Sequence, residues 1–511
     1  MNRNIAYSIA FSLLAKGLSF FQSIVVSWQY GAGRSTDILY FAVAFIVSCT
    51  TICNTINQHV IIPNYIRMRD LRGEKEAMRF ANLVFTIYVV LGILAVLFIF
   101  LFPVPVYTGL SKFGAEALLQ NRQVLQITAP MLLLMIVNML ITDLFTAYKH
   151  FTMPMVVDMI KSGIVIVATL LPWAGGSVAN LALAMLAANL LQFVFLIFAL
   201  FLILKWKPQL GKVQLEKKVG ANVFYVILGQ VVVFFANILV MNLISGFADG
   251  VYTSMEYAQK VNTVIASVII TQLTTIIGIQ IIEHYNENQL DKLSSVFSNY
   301  MRGSFYVIAP ICFALSLCAK PLMSLLFERG RFGAEAAGTS AGFFSVFILI
   351  IPFNLLGEFI NRLVIAHQMQ RLSVIWKIVL NIFMMLCLFV FVRWQGFLGA
   401  PLGQLAAYAL YTAFLFIVLK KYFPYIQNEK EIVIFLCKCI GINIVLRFGL
   451  EWIFGGLLAA ETMGEKILAV VVCGGTYVIA YLCISVLPGM FNGETKQLIA
   501  GFKEKRAARA K

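Results

Sequence analysis

Lys112-Phe113-Gly114-Ala115-Glu116-Ala117 and Arg331-Phe332-Gly333-Ala334-Glu335-Ala336 are one hexapeptide written twice, 219 residues apart, with Lys and Arg exchanged at its head. The same offset carries Leu144 and Ala147 onto Leu363 and Ala366. An offset of 217 lays Gly33, Thr36 and Tyr40 over Gly250, Thr253 and Tyr257. Both copies fall in loops between apolar runs, at equivalent places in two stretches of similar length. This is the mark of an internal duplication, and a repeated unit constrains the fold more than any single motif.

The repeat is set in a chain of 511 residues that is 61% hydrophobic and 12% charged, with mean hydropathy +0.88. A soluble domain is roughly 45–50% apolar and about 25% charged, so a water-soluble enzyme and a disordered or fibrous chain are both excluded. A bilayer span needs about 20 mostly apolar residues. Apolar runs between charged or Gly/Pro breaks predict fourteen spans, over 5–28, 38–62, 80–103, 124–147, 152–173, 177–204, 221–246, 251–282, 297–327, 337–366, 372–392, 397–419, 432–456 and 466–490. The fold class is an all-α polytopic membrane protein: two duplicated six-helix bundles and a C-terminal helix pair. Residues 1–219 and 220–430 form the bundles, and 431–511 hold the extra pair and a basic tail. Six spans per copy keep both copies in one orientation, related by an axis along the membrane normal with a cavity between them. That plan suits alternating access.

The net charge of +16 is a matter of topology. With the N-terminus inside, 23 of the 39 Lys and Arg residues fall on the cytoplasmic side, among them Arg67, Arg69, Arg72, Lys75, Arg79 and the tail Lys503-Glu504-Lys505-Arg506. Seven fall outside (Arg34, Lys112, Arg122, Arg329, Arg331, Arg393 and Lys466) and nine within spans. The cytoplasmic excess of basic residues places both termini inside, with the tail resting on anionic lipid head groups. The first apolar run carries Lys16 and leads into further spans, so it reads as a retained helix and not a signal peptide. The nine cysteines lie in apolar stretches and read as buried hydrophobes.

Polar residues at bilayer depth carry the functional information, since each is expensive facing lipid. In the first span Ser8, Ser12, Lys16, Ser19, Ser23 and Ser27 recur at threes and fours and share one face. In the eighth, Thr253, Glu256, Lys260, Thr263, Ser267, Thr271 and Thr274 do the same, and the second adds Thr50, Asn54, Asn57 and Gln58. Spans 1 and 2 match 7 and 8 under the duplication, so the wet faces come from corresponding places. A hydroxyl in such a helix can equally bond back to a carbonyl of its own turn. Glu256 with Lys260, Glu358 with Arg362 and Asp158 with Lys161 are spaced to neutralise one another within a helix. Lys16 has no acid at i±3 or i±4 and sits about eleven residues, roughly 16 Å, from either end of its span. It needs an acid on another helix, deprotonation, or water and an anionic ligand.

The four histidines show no metal-ligand spacing, and no Walker loop, GxGxxG, GxSxG or HExxH occurs. No metal, cofactor or nucleic acid is implied, and the loops leave no room for a catalytic domain.

Several segments resemble the MurJ/MviN lipid II flippases of the multidrug/oligosaccharidyl-lipid/polysaccharide exporter superfamily. They are Gly31-Ala32-Gly33 followed by Asp37, Phe151-Thr152-Met153-Pro154, Tyr257-Ala258-Gln259-Lys260, and Leu326-Phe327-Glu328-Arg329-Gly330-Arg331-Phe332. Fourteen helices as two lobes and a terminal pair is also that family's architecture. The resemblance implies a bacterial plasma-membrane transporter, not an enzyme, with a cationic cavity for the pyrophosphate and sugars of a polyprenyl-linked precursor of peptidoglycan or a related envelope polysaccharide. Lys16 and Lys260 match the family's arginines in helices 1 and 8. Gln22 matches a second first-helix arginine, Ser23 the acid after it, and Asn54 a helix 2 glutamate; helix 2 has Cys49 or Thr50 at the level of its lost arginine. No Asp or Glu occurs in 221–246, where some members bind sodium. The substrate-binding residues expected are Lys16, Lys260, Gln22, Ser12, Ser19, Ser23, Asp37, Asn54, Glu256 and Thr263. Two other classes stay open: a cation-coupled small-molecule exporter, which wants acids in its cavity, and a membrane glycosyltransferase or ligase, which wants a long outward catalytic loop.

Overall fold

A computed structural model describes residues 3–171, 176–209, 211, 217–426, 429–487 and 490–491. The basic tail lies outside the described residues. The chain is helical throughout its described length: α1 (Arg3–Tyr30), α2 (Arg34–Ile56), α3 (Ile62–Arg72), α4 (Glu74–Leu101), α5 (Pro103–Leu110), α6 (Ala115–Gln120), α7 (Arg122–Ala147), α8 (Met153–Leu170), α9 (Val178–Ile203), α10 (Lys217–Ile244), α11 (Val251–Asn286), α12 (Leu290–Leu317), α13 (Ala319–Phe327), α14 (Ala334–Phe347), α15 (Ile350–Ala366), α16 (Gln370–Gln395), α17 (Gly399–Tyr422), α18 (Glu429–Leu458) and α19 (Met463–Ser485). Among the described residues, thirteen stretches are long and apolar enough to cross a bilayer. One of them, Arg371–Tyr422, holds both α16 and α17, so the fourteen expected spans are present and the protein is a multi-pass membrane protein.

Three spans depart from the expected simple rods. The second runs on through a π-helical turn, Asn57–Ile61, into α3. It therefore reaches Arg72, because Arg67, Arg69 and Arg72 are good helix formers outside the apolar run. The ninth span breaks at Cys318 into α12 and α13, and the tenth breaks after Phe347 into α14 and α15.

The duplication is visible in the backbone. Tyr148 N donates to Leu144 O (3.2 Å) and His150 N to Phe145 O (3.0 Å) around Lys149 at φ +65°. At the 219 offset, His367 N donates to Leu363 O (3.0 Å) and Met369 N to Val364 O (3.0 Å) around Gln368 at φ +56°. Two non-glycine residues in the uncommon left-handed region, ending α7 and α15 alike, are the same helix stop made twice.

The chain divides into two compact units. The first holds residues 1–260 with 327–336. There α7 packs against α2, α4 and α9, and α1 against α8. Val26, Leu39, Val124, Leu181 and Ala188 are buried together. The second holds 261–326 and 337 onward. In it α12 packs on α15, α18 and α19, and α16 on α17. The α16–α17 hairpin is close: a β-carbon on Gly399 would overlap the Phe391 carbonyl, and one on Gly403 would stand 3.0 Å from Leu388 Cα. Small residues let backbones meet where lipid supplies no hydrophobic drive. Between α18 and α19, Tyr477 OH donates to both O and Oδ1 of the buried Asn443, each at 2.9 Å, and Tyr306 of α12 donates to Ser485 at 2.8 Å. Exposed apolar side chains include Leu94, Phe98 and Phe198 in the first unit and Trp452 in the second, surface suited to acyl chains.

Candidate functional site

The site is built where α2 meets the start of α11, both in the first compact unit. Asp37, in the first turn of α2, is 1% exposed. Its Oδ2 accepts from Gly250 N (2.7 Å), and its Oδ1 from Thr253 N (2.8 Å) and Thr253 Oγ1 (2.6 Å). The first N–H groups of a helix have no partner within it, and here a carboxylate from another helix supplies one, with a charge that suits the positive helix end. The start of α2 is capped locally, by Gly33 N donating to Thr36 Oγ1 at 2.8 Å. Arg34 pairs with Asp249 in the turn before α11 and lies over the Phe113 ring at 5.6 Å.

One turn further into both helices, Tyr40 and Tyr257 meet with hydroxyls 2.9 Å apart and rings edge to face at 5.6 Å. These residues are equivalent under the 217 offset, so the duplication brings a residue against its own copy. Lys260 Nζ sits 4.7 Å from the Tyr40 ring centroid and 5.1 Å from that of Tyr257. A desolvated cation over an aromatic face is worth about 2 kcal/mol. The position equivalent to Lys260 is Val43, so the two halves together supply one ammonium at this junction. Lys260 is half-buried and makes no ion pair among the described residues, Glu256 included. Glu358–Arg362 and Asp158–Lys161 also stay open, so none of the three pairs spaced for neutralisation closes in this structure.

The aromatic seat extends to α1. Tyr257 packs on Phe327 (5.1 Å) and Phe332 (5.3 Å), and Phe20 packs on Phe327 (6.1 Å). Phe332 belongs to the second copy of the hexapeptide. The loop is held by Arg331 N donating to Trp28 O at 3.0 Å. Gly31 (φ +66°) and Gly330 (φ +58°) allow this approach: a β-carbon on Gly31 would overlap the Arg331 carbonyl, and one on Gly330 would overlap Trp28. The first copy docks in the same manner, with Lys112 N donating to Ser245 Oγ at 2.8 Å, and Ser245 is the 217-offset equivalent of Trp28. Lys16 lies one turn before Phe20 on α1, half-exposed and without an ion pair among the described residues.

The other expected site residues divide. Ser23 is 4% exposed, and its hydroxyl donates to Ser19 O at 3.2 Å. Ser27, Ser267 and Thr274 likewise bond to carbonyls of their own turns. Ser12 and Gln22 are half-exposed, Ser19 and Thr263 exposed, and their side chains have no hydrogen-bond partner among the described residues. Asn54 Oδ1 accepts from Gln58 Nε2 at 3.0 Å. The side chain of Ser8 lies outside the described residues. Thus Asp37, Glu256 and Lys260 share one junction, while Asn54 stands near the far end of α2. Reading the sequence missed the Tyr40–Tyr257 seat and the Arg34–Asp249 pair. The 217 offset was the available signal for the first, since equivalent residues meet only near a symmetry axis.

The family model for lipid II flippase MurJ matches residues 29–492. A probable lipid II flippase MurJ of Rickettsia prowazekii (strain Madrid E) is 23% identical over 131 residues, 26% of this chain and 26% of that protein. Another, of Buchnera aphidicola subsp. Schizaphis graminum (strain Sg), is 22% identical over 338 residues, 63% of this chain and 64% of that protein. The matched segments span less than two thirds of either relative. A solved lipid II flippase MurJ in an inward closed conformation superposes with TM-score 0.77 at 14% identity, covering 94% of this chain and 99% of that one. An inward-facing multidrug resistance MATE transporter of the MOP superfamily gives 0.63 at 14% identity, covering 81% and 95%. These superpositions establish a shared fold, and the family-model match over 29–492 goes further: the chain belongs to the lipid II flippase MurJ family.

Proposed function

We propose that the protein flips an anionic polyprenyl-linked glycolipid, lipid II or a related envelope precursor, from the inner to the outer leaflet by alternating access. The observation that carries this reading is Lys260: an ammonium at bilayer depth, seated on Tyr40 and Tyr257, with no carboxylate holding it. A cation so placed offsets phosphate charge where desolvation strengthens ion pairing. Lys16 is its partner in charge. Ser12, Ser19, Gln22 and Thr263, whose polar groups are not used internally, bond sugar hydroxyls; Asn54 adds a polar group further along α2, while the buried Ser23 supports the α1 face from within. Asp37 and Glu256 act at the junction, Asp37 by closing the outer end when it caps α11. In this reading 1–219 and 220–430 work as two lobes, with 431–511 appended, both termini in the cytoplasm and the protein in the bacterial plasma membrane. It is a transporter without a catalytic centre, metal or cofactor.

A cation-coupled small-molecule exporter has the same fold in its favour, but it wants acids free in its cavity, whereas here Asp37 is spent on capping α11 and Glu256 stands beside Lys260. Depletion followed by lipid analysis separates the readings. Build-up of an inner-leaflet lipid-linked precursor is expected and names the cargo; no build-up of any such lipid rejects flipping. Lys16→Ala and Lys260→Ala should each abolish transport at normal membrane abundance, and normal transport in both rejects the site.

A further inference from the structure

The duplication places Arg362 where the first half has Asp143, one residue before the equivalent pair Leu144 and Leu363 that begins the shared helix stop. In the first half the place is satisfied internally. Asn57 Nδ2 donates to Asp143 Oδ2 at 3.0 Å, and Tyr88 OH donates to Asn57 Oδ1 at 2.8 Å. In the second half the charge is inverted and the partner is gone. Thr274 stands at the 217-offset position of Asn57, and its hydroxyl donates to Ile270 O of its own helix at 2.7 Å. One turn on, α11 carries Gly278, where an added β-carbon would stand 3.3 Å from Arg362 Cδ. The helix is thus open at the level where the arginine stem lies across it. Glu358, one turn back on α15, does not close an ion pair, and Arg362 Nε is buried with no hydrogen-bond partner. Arg362 makes no ion pair with any described residue.

A guanidinium within a membrane span needs an anion or water, because no acceptor of its own chain satisfies it here. We propose that Arg362 is an oxyanion site for a phosphoryl group. Five donors in a planar fork match phosphate oxygens in a way that a lysine does not. Arg362 lies four residues before the end of α15, about 6 Å along the axis. With both termini inside, that end of α15 faces the cytoplasm, so the site stands at the level of inner-leaflet head groups. It takes either the diphosphate of a polyprenyl carrier or free phosphate, and the first identity rests on the transport reading above.

The test uses the full chain in phosphatidylcholine nanodiscs, titrated with inorganic pyrophosphate and, separately, with farnesyl diphosphate. The wild type should bind, and Arg362→Gln should weaken binding by at least about tenfold, the loss expected for hydrogen bonds to a charged group. Gly278→Ala keeps the charge and displaces the stem, so it should weaken binding severalfold, and it decides the matter if Arg362→Gln does not accumulate. Tighter binding of farnesyl diphosphate than of pyrophosphate assigns the site to a lipid head group; equal binding assigns it to free anion. Unchanged affinity in Arg362→Gln, or in Gly278→Ala where the first is lost, overturns the proposal. In that case a loss in Lys260→Gln alone leaves the transport reading standing. No binding by the wild type overturns the oxyanion site outright, while precursor build-up on depletion still judges transport.

Discussion

At the scale of residues, the junction makes two predictions that differ in size because their bonds differ in charge. The Tyr40–Tyr257 bond joins two neutral hydroxyls, 2.9 Å apart. Tyr40→Phe and Tyr257→Phe should each cost about 1 kcal/mol of stability, read as a lowered unfolding temperature of the purified protein in detergent. The double variant should cost no more than either single one, because one bond is lost in all three; additive losses would show that the hydroxyls act separately. Asp37 accepts three bonds at a helix start. Asp37→Ala should therefore cost more, about 2–3 kcal/mol, since it strands buried donors. Thr253→Val, which removes one of the three, should fall between the two; an Asp37→Ala loss no larger than that of Tyr257→Phe would contradict the capping role. These residues also mark the limit of sequence reading. Spacing singled out Lys260 and Glu256 because a charge in an apolar run is conspicuous. It gave Asp37 no partner, since the carboxylate caps a helix more than 200 residues away. Nor does spacing reveal where a hydroxyl points: Ser19 and Ser23 share a stripe, yet Ser23 spends its hydrogen on the Ser19 carbonyl.

At the scale of elements, helix existence was legible and helix continuity was not. Fourteen apolar runs are fourteen spans, because burying backbone polar groups in lipid forces each run into a helix. The interruptions at Cys318 and after Phe347, and the π-helical turn at Asn57–Ile61, depend on how neighbouring turns pack, which hydropathy does not record. Packing also distinguishes glycines that look alike in sequence. Gly399 faces the Phe391 carbonyl so closely that a β-carbon has no room, whereas Gly455 in α18 has nothing within 4 Å of one. Gly399→Val should separate α16 from α17 and cost at least about 2 kcal/mol through overpacking. Gly455→Val should move stability by less than about 0.5 kcal/mol, as an outward substitution does. Equal losses, compared by thermal unfolding of the two purified variants, would mean that this hairpin does not depend on close backbone approach.

At the scale of the whole molecule, duplication was the most informative signal, and its most useful products are the places where the copies differ. Symmetric descent supplies two tyrosines that meet, but one lysine, because Val43 stands opposite Lys260 in the alignment. It also supplies an aspartate satisfied by Asn57 and an arginine with no such partner. If the proposed transport is right, this imbalance has an electrical consequence. A bound diphosphate brings at least two negative charges to a site holding Lys16, Lys260 and Glu256, so loading turns a net positive site into a net negative one. A cytoplasm-negative potential then favours both legs, moving the loaded site outward and drawing the empty one back toward the cytoplasm, at up to about 2.3 kcal/mol per charge per 100 mV. In proteoliposomes with a potassium diffusion potential set by valinomycin, multiple-turnover flipping toward the positive side should accelerate severalfold at 100 mV. A single turnover from preloaded protein reports the outward leg alone and should accelerate less. Flipping that ignores the potential in both regimes would show that the returning site carries no net charge, and with it would go the assignment of both ammonium groups to the transport path.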